Sequence, residues 1–280
     1  MSDNKPDRID LAQIIQNKNP RLLKIIPRFI LNYVKRIIHQ DDLNYVLEKY
    51  QDKEGVDFVD SILKELGAKI NVINPENIPP TGRYILASNH PLGGLDGMAL
   101  MQVAGKIRRD IVFPDNDLLM YLKNLRVLFI PINKHGKNYE NKKIMDDTFA
   151  SNVMILFFPA GLCSRKQKGE IMDLDWKNTF IKKAVEFKRD IIPVHIDGKN
   201  SNFFYNLALW RKRLGIKANI EMLYLVDEMY KQNNKNINIT FGKAIPYNTF
   251  DHRNKSNKWA ALMKSHVYEL SKNKDAKFNY

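Results

Sequence analysis

The sequence predicts an α/β fold: a central, mostly parallel or mixed sheet flanked by helices, with a helical section ahead of it. Three observations point there. Short apolar runs of strand length recur at residues 84–87, 110–113, 125–132, 153–158 and 191–196. Stretches of helical periodicity separate them, the alternation expected of strand–helix–strand units. The run at 84–87 ends in Ser88-Asn89-His90 and a Pro/Gly turn, and open α/β sheets bind ligands at such strand ends.

The chain opens on a polar tip, and residues 9–16 suit a short helix. In residues 21–38, Leu22, Ile26, Phe29, Ile30, Tyr33 and Ile37 recur at helical spacing, with Arg21, Lys24, Arg28 and Lys35 on another side. Pro27 kinks this helix or splits it. Such a basic amphipathic helix either packs on the core with solvated lysines or lies in a membrane interface. Residues 41–66 read as one or two further helices, and Gly67 as their stop. The boundary is placed there: a helical section at 1–67 and an α/β section at 68–280.

Residues 70–73 suit a short strand. After the strand at 84–87, a helix runs from Asp96 to about Ile107. Helices are predicted over 118–124, 138–150, 176–188, 202–214 and 255–270, and a last strand over 237–241. Residues 219–230 fit either a strand or a helix.

Lysine and arginine number 45 against 31 acids, a formal charge of +14. That surplus favours an anionic partner: a membrane surface, an acidic carrier protein or nucleic acid. Nucleic acid is the weakest of these, because no zinc-knuckle, RNA-recognition or helix-turn-helix pattern is present. The single cysteine, Cys163, excludes an internal disulfide and suits a reducing compartment. The first residues lack the apolar core of a signal peptide, and no stretch approaches the about 20 apolar residues of a spanning helix. No cluster has metal-ligand spacing, so no metal or bound cofactor is expected.

Chemistry is concentrated at His90 and Asp96, which bracket the Pro91-Leu-Gly-Gly-Leu95 turn. A neutral imidazole takes a proton from a hydroxyl, and a carboxylate on its other nitrogen sets the tautomer. The competing reading is a helix-capping aspartate beside an ordinary loop histidine. Cys163 beside Arg165 is an alternative nucleophile. His195 and Asp197 alternate on a strand and form either a second polar pair or a plain strand-end turn. The lysine-rich turn at 133–137 either holds an anionic head group or is solvated surface.

Four blocks in series carry a resemblance: Asn89-His90 with Asp96; residues 127–134, Val-Leu-Phe-Ile-Pro-Ile-Asn-Lys; residues 158–165, Phe-Pro-Ala-Gly-Leu-Cys-Ser-Arg; and residues 192–194, Ile-Pro-Val. Together they resemble the motifs of the glycerolipid acyltransferases, the 1-acylglycerol-3-phosphate acyltransferase family. Two departures stand out. Five residues rather than four separate His90 from Asp96, and Gly93-Gly94 can absorb the extra one. Ala160 and Cys163 replace the third motif's usual glutamate and arginine. The block is more similar to the haemolysin-like branch that O-acylates lyso-ornithine and lyso-glycine lipids.

The resemblance implies a peripheral O-acyltransferase at the cytoplasmic face of the membrane. His90 and Asp96 would be the catalytic dyad. Asn89 and Gly93 would support the oxyanion or the dyad, and Lys134, Gly161, Ser164 and Arg165 would bind the acceptor. The donor would be an acyl-carrier protein thioester or acyl-CoA, and the acceptor a lyso-lipid. Lysophosphatidate is the alternative acceptor. A non-catalytic lipid-binding protein and a Cys163 hydrolase are the alternatives of other classes.

Overall fold

The computed structural model describes residues 8–114, 122–130, 138–167 and 169–280. Five helices come first: α1 (Leu11–Lys18), α2 (Pro20–Ile25), α3 (Arg28–Ile37), α4 (Gln40–Lys49) and α5 (Gly55–Glu65). Asp10 caps α1, its carboxylate accepting the Ala12 N–H at 2.9 Å. Pro27 splits the predicted basic helix into α2 and α3, because it has no N–H to donate and its ring obstructs the preceding turn.

The α/β section runs β1 (Lys69–Ile73), β2 (Tyr84–Ser88), α6 (Gly94–Ile107), β3 (Ile111–Pro114), β4 (Phe129–Ile130), α7 (Asn138–Ala150) and β5 (Met154–Phe157). It continues with β6 (Arg165–Gln167), β7 (Glu170–Met172), α8 (Thr179–Glu186), β8 (Asp190–Ile196), α9 (Asn202–Arg213), α10 (Leu225–Tyr230), β9 (Asn236–Phe241) and α11 (Ser256–Glu269). Seven strands form one sheet in the order β1-β9-β8-β2-β5-β3-β4. All neighbours are parallel except β8 and β9, so the expected mixed, mostly parallel sheet is present.

Both faces of the sheet are covered, which is why its central strands are continuous apolar runs rather than alternating ones. Leu86, Leu156 and Ile192 point to one face and pack with Val59 and Leu63 of α5 and Leu100 of α6. Ile85, Ile155 and Ile191 point to the other and pack with Phe180 of α8 and Trp259 of α11. Period-two alternation thus divides three adjacent strands between two cores. On the first face α5 lies so close to α6 that a Cβ at Gly105 would stand 2.4 Å from Val56 Cγ2.

The local differences from expectation have local causes. Residues 123–128 form a 3₁₀ turn, so only Phe129–Ile130 of the long strand predicted there is strand among the described residues. The segment that fitted strand or helix becomes a 3₁₀ turn, Ile220–Tyr224, followed by α10. The β6–β7 hairpin was not anticipated, because strands of three residues are too short to show a period. No helix among the described residues is long and apolar enough to cross a membrane.

Candidate active site

Parallel register brings the ends of three strands to one edge of the sheet. Ser88 lies opposite Val194, and Ala87 opposite Phe157. The chain leaving β2 carries His90, the chain leaving β5 carries the Phe158–Arg165 block, and β8 ends at Ile196.

His90 and Asp96 meet. His90 Nδ1 is 2.9 Å from Asp96 Oδ1. Asp96 is wholly buried, and its Oδ2 accepts the backbone N–H groups of Leu92 at 2.7 Å and Gly93 at 3.2 Å. The carboxylate therefore caps α6 and holds the imidazole at once, so capping does not compete with the contact to His90. In the tautomer where Asp96 accepts this bond, Nδ1 carries the ring proton and the basic lone pair falls at Nε2. The ring stacks on Phe158 with centroids 4.0 Å apart. Gly93 has φ of +80°, and a Cβ there would stand 2.9 Å from Leu225, so only glycine fits this bend.

Asn89 and Gly93 are engaged differently from an oxyanion donor. The Asn89 amide donates to the Ile196 carbonyl at 2.8 Å and accepts the Ile196 N–H at 2.7 Å, tying the end of β2 to the end of β8. The Gly93 N–H points to Asp96. Both contacts hold the segment that carries the dyad.

Three of the four residues expected to bind the acceptor lie among the described residues. Ser164 is buried, its hydroxyl donating to Asp173 Oδ1 at 2.6 Å and its N–H to the His90 carbonyl at 2.7 Å. Arg165 is also buried, and its guanidinium donates to Glu221 at 2.9 Å and to the Cys163 carbonyl at 2.6 Å. A cation already paired inside the protein is not presented to a ligand, which corrects the expectation that Arg165 and Ser164 face the acceptor. Gly161 sits in an exposed turn with φ of +68°, and its N–H closes the turn onto the Phe158 carbonyl at 3.0 Å. Lys134 and the lysine-rich turn around it lie outside the described residues.

Two acids emerge that sequence reasoning missed. Asp173 accepts the His90 N–H at 3.1 Å, the Ser164 hydroxyl at 2.6 Å and the Trp176 indole N–H at 2.9 Å. Burial pushes its carboxyl above its ordinary value against these bonds. Glu221, wholly buried, joins Arg165 to Arg211 of α9. Burial acts to raise its pKa, but the two guanidinium partners prevail and hold it below its ordinary value. Neither acid has a periodicity or motif that marks it.

Cys163 is fully buried, and burial pushes its thiol up to about 11, the neighbouring Arg165 notwithstanding. A protonated, inaccessible thiol is no nucleophile. His195 is buried and packs edge-on against Tyr268 at 5.9 Å; burial lowers its pKa. Its proposed partner Asp197 is exposed beside Asn238. Among the described residues no group of three or more His, Cys, Asp or Glu is gathered as metal ligands would be.

Comparison with known proteins identifies the family. A family model described as Acyltransferase matches residues 13–277. The chain is 47% identical over 272 residues to the lyso-glycine lipid O-acyltransferase of Bacteroides thetaiotaomicron, covering 96% of this chain and 100% of that one. It is also 47% identical to the protein of the same name from Phocaeicola vulgatus, over 96% and 98% of the two chains. The crystal structure of the 1-acyl-sn-glycerophosphate acyltransferase PlsC from Thermotoga maritima aligns over 90% of this chain and 95% of its own, at 16% identity and a TM-score of 0.45. With a family match across nearly its whole length and near-half identity to full-length relatives, the chain belongs to the acyltransferase family and is an acyltransferase.

Proposed function

We propose that the protein completes a glycine lipid, transferring a fatty acyl group from a thioester to the hydroxyl of a lyso-glycine lipid at the cytoplasmic face of the membrane. The observation that carries the chemistry is the 2.9 Å contact between His90 and buried Asp96. His90 Nε2 takes the proton of the acceptor hydroxyl as its oxygen attacks the thioester carbonyl. The tetrahedral intermediate collapses, the C–S bond breaks, and the imidazolium returns the proton to the departing thiolate. Asp96 holds the ring and stabilises the imidazolium between these two transfers.

The acceptor's identity rests on the two relatives, whose names specify a lyso-glycine lipid. Such an acceptor presents a carboxylate rather than a phosphate. The exposed turn at Gly161, with Lys177 Nζ 3.4 Å from the place a Cβ would occupy, supplies a cationic edge for it, and Lys134 a second. The acyl donor is an acyl-carrier protein thioester or acyl-CoA. Membrane contact is assigned to α2 and α3, where Ile25 is 76% and Phe29 73% exposed amid basic residues.

The test is direct. Purified protein is given an acyl-carrier thioester or acyl-CoA with either lyso-glycine lipid or lysophosphatidate, and products are read by mass spectrometry. Diacylated glycine lipid is expected. Acylation of lysophosphatidate alone would refute the acceptor, and no product from any pair would refute the reaction.

A further inference from the structure

The exposed apolar surface is not confined to the N-terminal helices. Ten of the fifteen large apolar side chains exposed among the described residues lie in two segments far apart in sequence, 22–33 and 203–223, so exposure is concentrated rather than scattered. The second segment presents Phe203, Trp210, Leu214, Ile216 and Leu223, from α9 and the turn after it.

The two segments touch. The Tyr33 hydroxyl of α3 is 2.7 Å from the Tyr224 hydroxyl, and the Tyr224 ring meets Phe203 edge-on at 5.0 Å. Their charge matches as well. Residues 20–38 contain Arg21, Lys24, Arg28, Lys35 and Arg36 and no acid. Residues 203–220 contain no acid, and their exposed cations are Lys212, Arg213 and Lys217, Arg211 being buried against Glu221. The first acid beyond, Glu221, is buried against Arg165 and Arg211.

We propose that residues 203–223 are a second docking lobe for an anionic lipid bilayer, continuous with α2 and α3 through the Tyr33–Tyr224 contact. The lobe rests on the reading of α2 and α3 as membrane elements and extends it to the catalytic half of the chain. Exposed aromatic and aliphatic side chains enter the interface while the surrounding Lys and Arg side chains meet anionic head groups. The lobe is also fastened to the active site. Glu221 holds Arg165 of the β5 block, and Leu225 lies against the Gly93 bend of the dyad. A bilayer seated on both lobes is thereby linked, through Glu221 and Leu225, to the elements that position His90.

Trp210 is a built-in probe. It is 65% exposed, whereas Trp176 and Trp259 are buried, so a change in tryptophan emission on vesicle binding reports Trp210. Vesicles of equimolar phosphatidylglycerol and phosphatidylcholine are expected to shift that emission to shorter wavelength. Brominated acyl chains should quench it, and pure phosphatidylcholine should act far more weakly. Leu214→Glu with Ile216→Glu should weaken vesicle binding about tenfold or more. Both sites are exposed, so the circular dichroism and the activity on detergent-dispersed acceptor should be unchanged. If the protein pellets with anionic vesicles while Trp210 emission stays fixed and the double variant binds as the wild type does, the lobe is rejected and docking by α2 and α3 stands. Failure of the wild type to pellet rejects both. An emission shift caused by acyl-carrier protein and not by vesicles would overturn the lipid assignment in favour of a protein partner.

Discussion

The carboxylate of Asp173 accepts the backbone N–H of His90 at 3.1 Å, across 83 residues of sequence. The same oxygen accepts the Ser164 hydroxyl, and the Ser164 N–H in turn reaches the His90 carbonyl. The peptide groups flanking the proposed base are thus clamped between β2 and the β5 block, apart from the contact its ring makes with Asp96.

Asp173→Asn separates positioning from chemistry. Asparagine keeps one oxygen for His90 and Ser164 but turns an NH2 toward the Trp176 indole N–H, leaving a buried donor facing a donor. A loss of about 1–3 kcal/mol in urea unfolding is expected, with a lower kcat and an unchanged pH midpoint of kcat/KM. The folded pKa of Asp173 is raised, so its contribution to stability is present below the ordinary carboxylate pKa and is lost as pH rises through the raised value. The difference in stability between wild type and variant should therefore vary with pH in that sense. A displaced kcat/KM midpoint would make Asp173 part of the proton transfer itself.

For the dyad, His90→Ala should lower kcat by about 10²–10⁴-fold, the usual contribution of a general base. Asp96→Asn should lower it by a comparable factor through the wrong tautomer. Steady-state kinetics with lyso-glycine lipid measures both. Wild-type kcat in His90→Ala would place the base elsewhere.

Arg165 provides a test of burial against ligand binding. Glu221→Gln leaves two guanidinium groups without their buried counter-charge and should cost about 3–5 kcal/mol. Arg165→Met should lower the Tm with no selective rise in acceptor KM. A large rise in acceptor KM at unchanged Tm would restore Arg165 to the acceptor.

Cys163→Ala should retain kcat within about twofold while losing some stability, as removal of a small buried group does. Native protein should resist iodoacetamide at pH 8 and react once unfolded. Loss of turnover in this variant, with the fold intact, would revive the cysteine hydrolase.

Ile25→Glu with Phe29→Glu should release the protein from anionic vesicles without changing its circular dichroism, since both side chains are exposed. Unchanged sedimentation would remove α2 and α3 from membrane contact.

The extent of what could be read from the chain alone follows from the range of each interaction. The α/β class, the strands at the sheet's centre and the split at Pro27 are written in short-range patterns: apolar runs, helical spacing and a missing N–H. The approach of His90 to Asp96 was legible for the same reason, because a tight bend and one helix cap join residues six positions apart. The acceptor group was not. Ser164 and Arg165 look like exposed polar residues in sequence, and nothing local announces that Asp173 and Glu221 will bury them.

Composition, periodicity and motif order therefore determined the fold class and pointed to His90 and Asp96, around which the proposed chemistry is arranged. Tertiary structure alone decided which charges face inward, that Asp173 braces His90, and that α3 and the turn after α9 meet at Tyr33 and Tyr224. The physical reason is that a buried polar group must find its partner wherever the folded chain supplies one, and that partner can lie 56 or 107 residues away, as Glu221 does from Arg165 and Ile196 from Asn89.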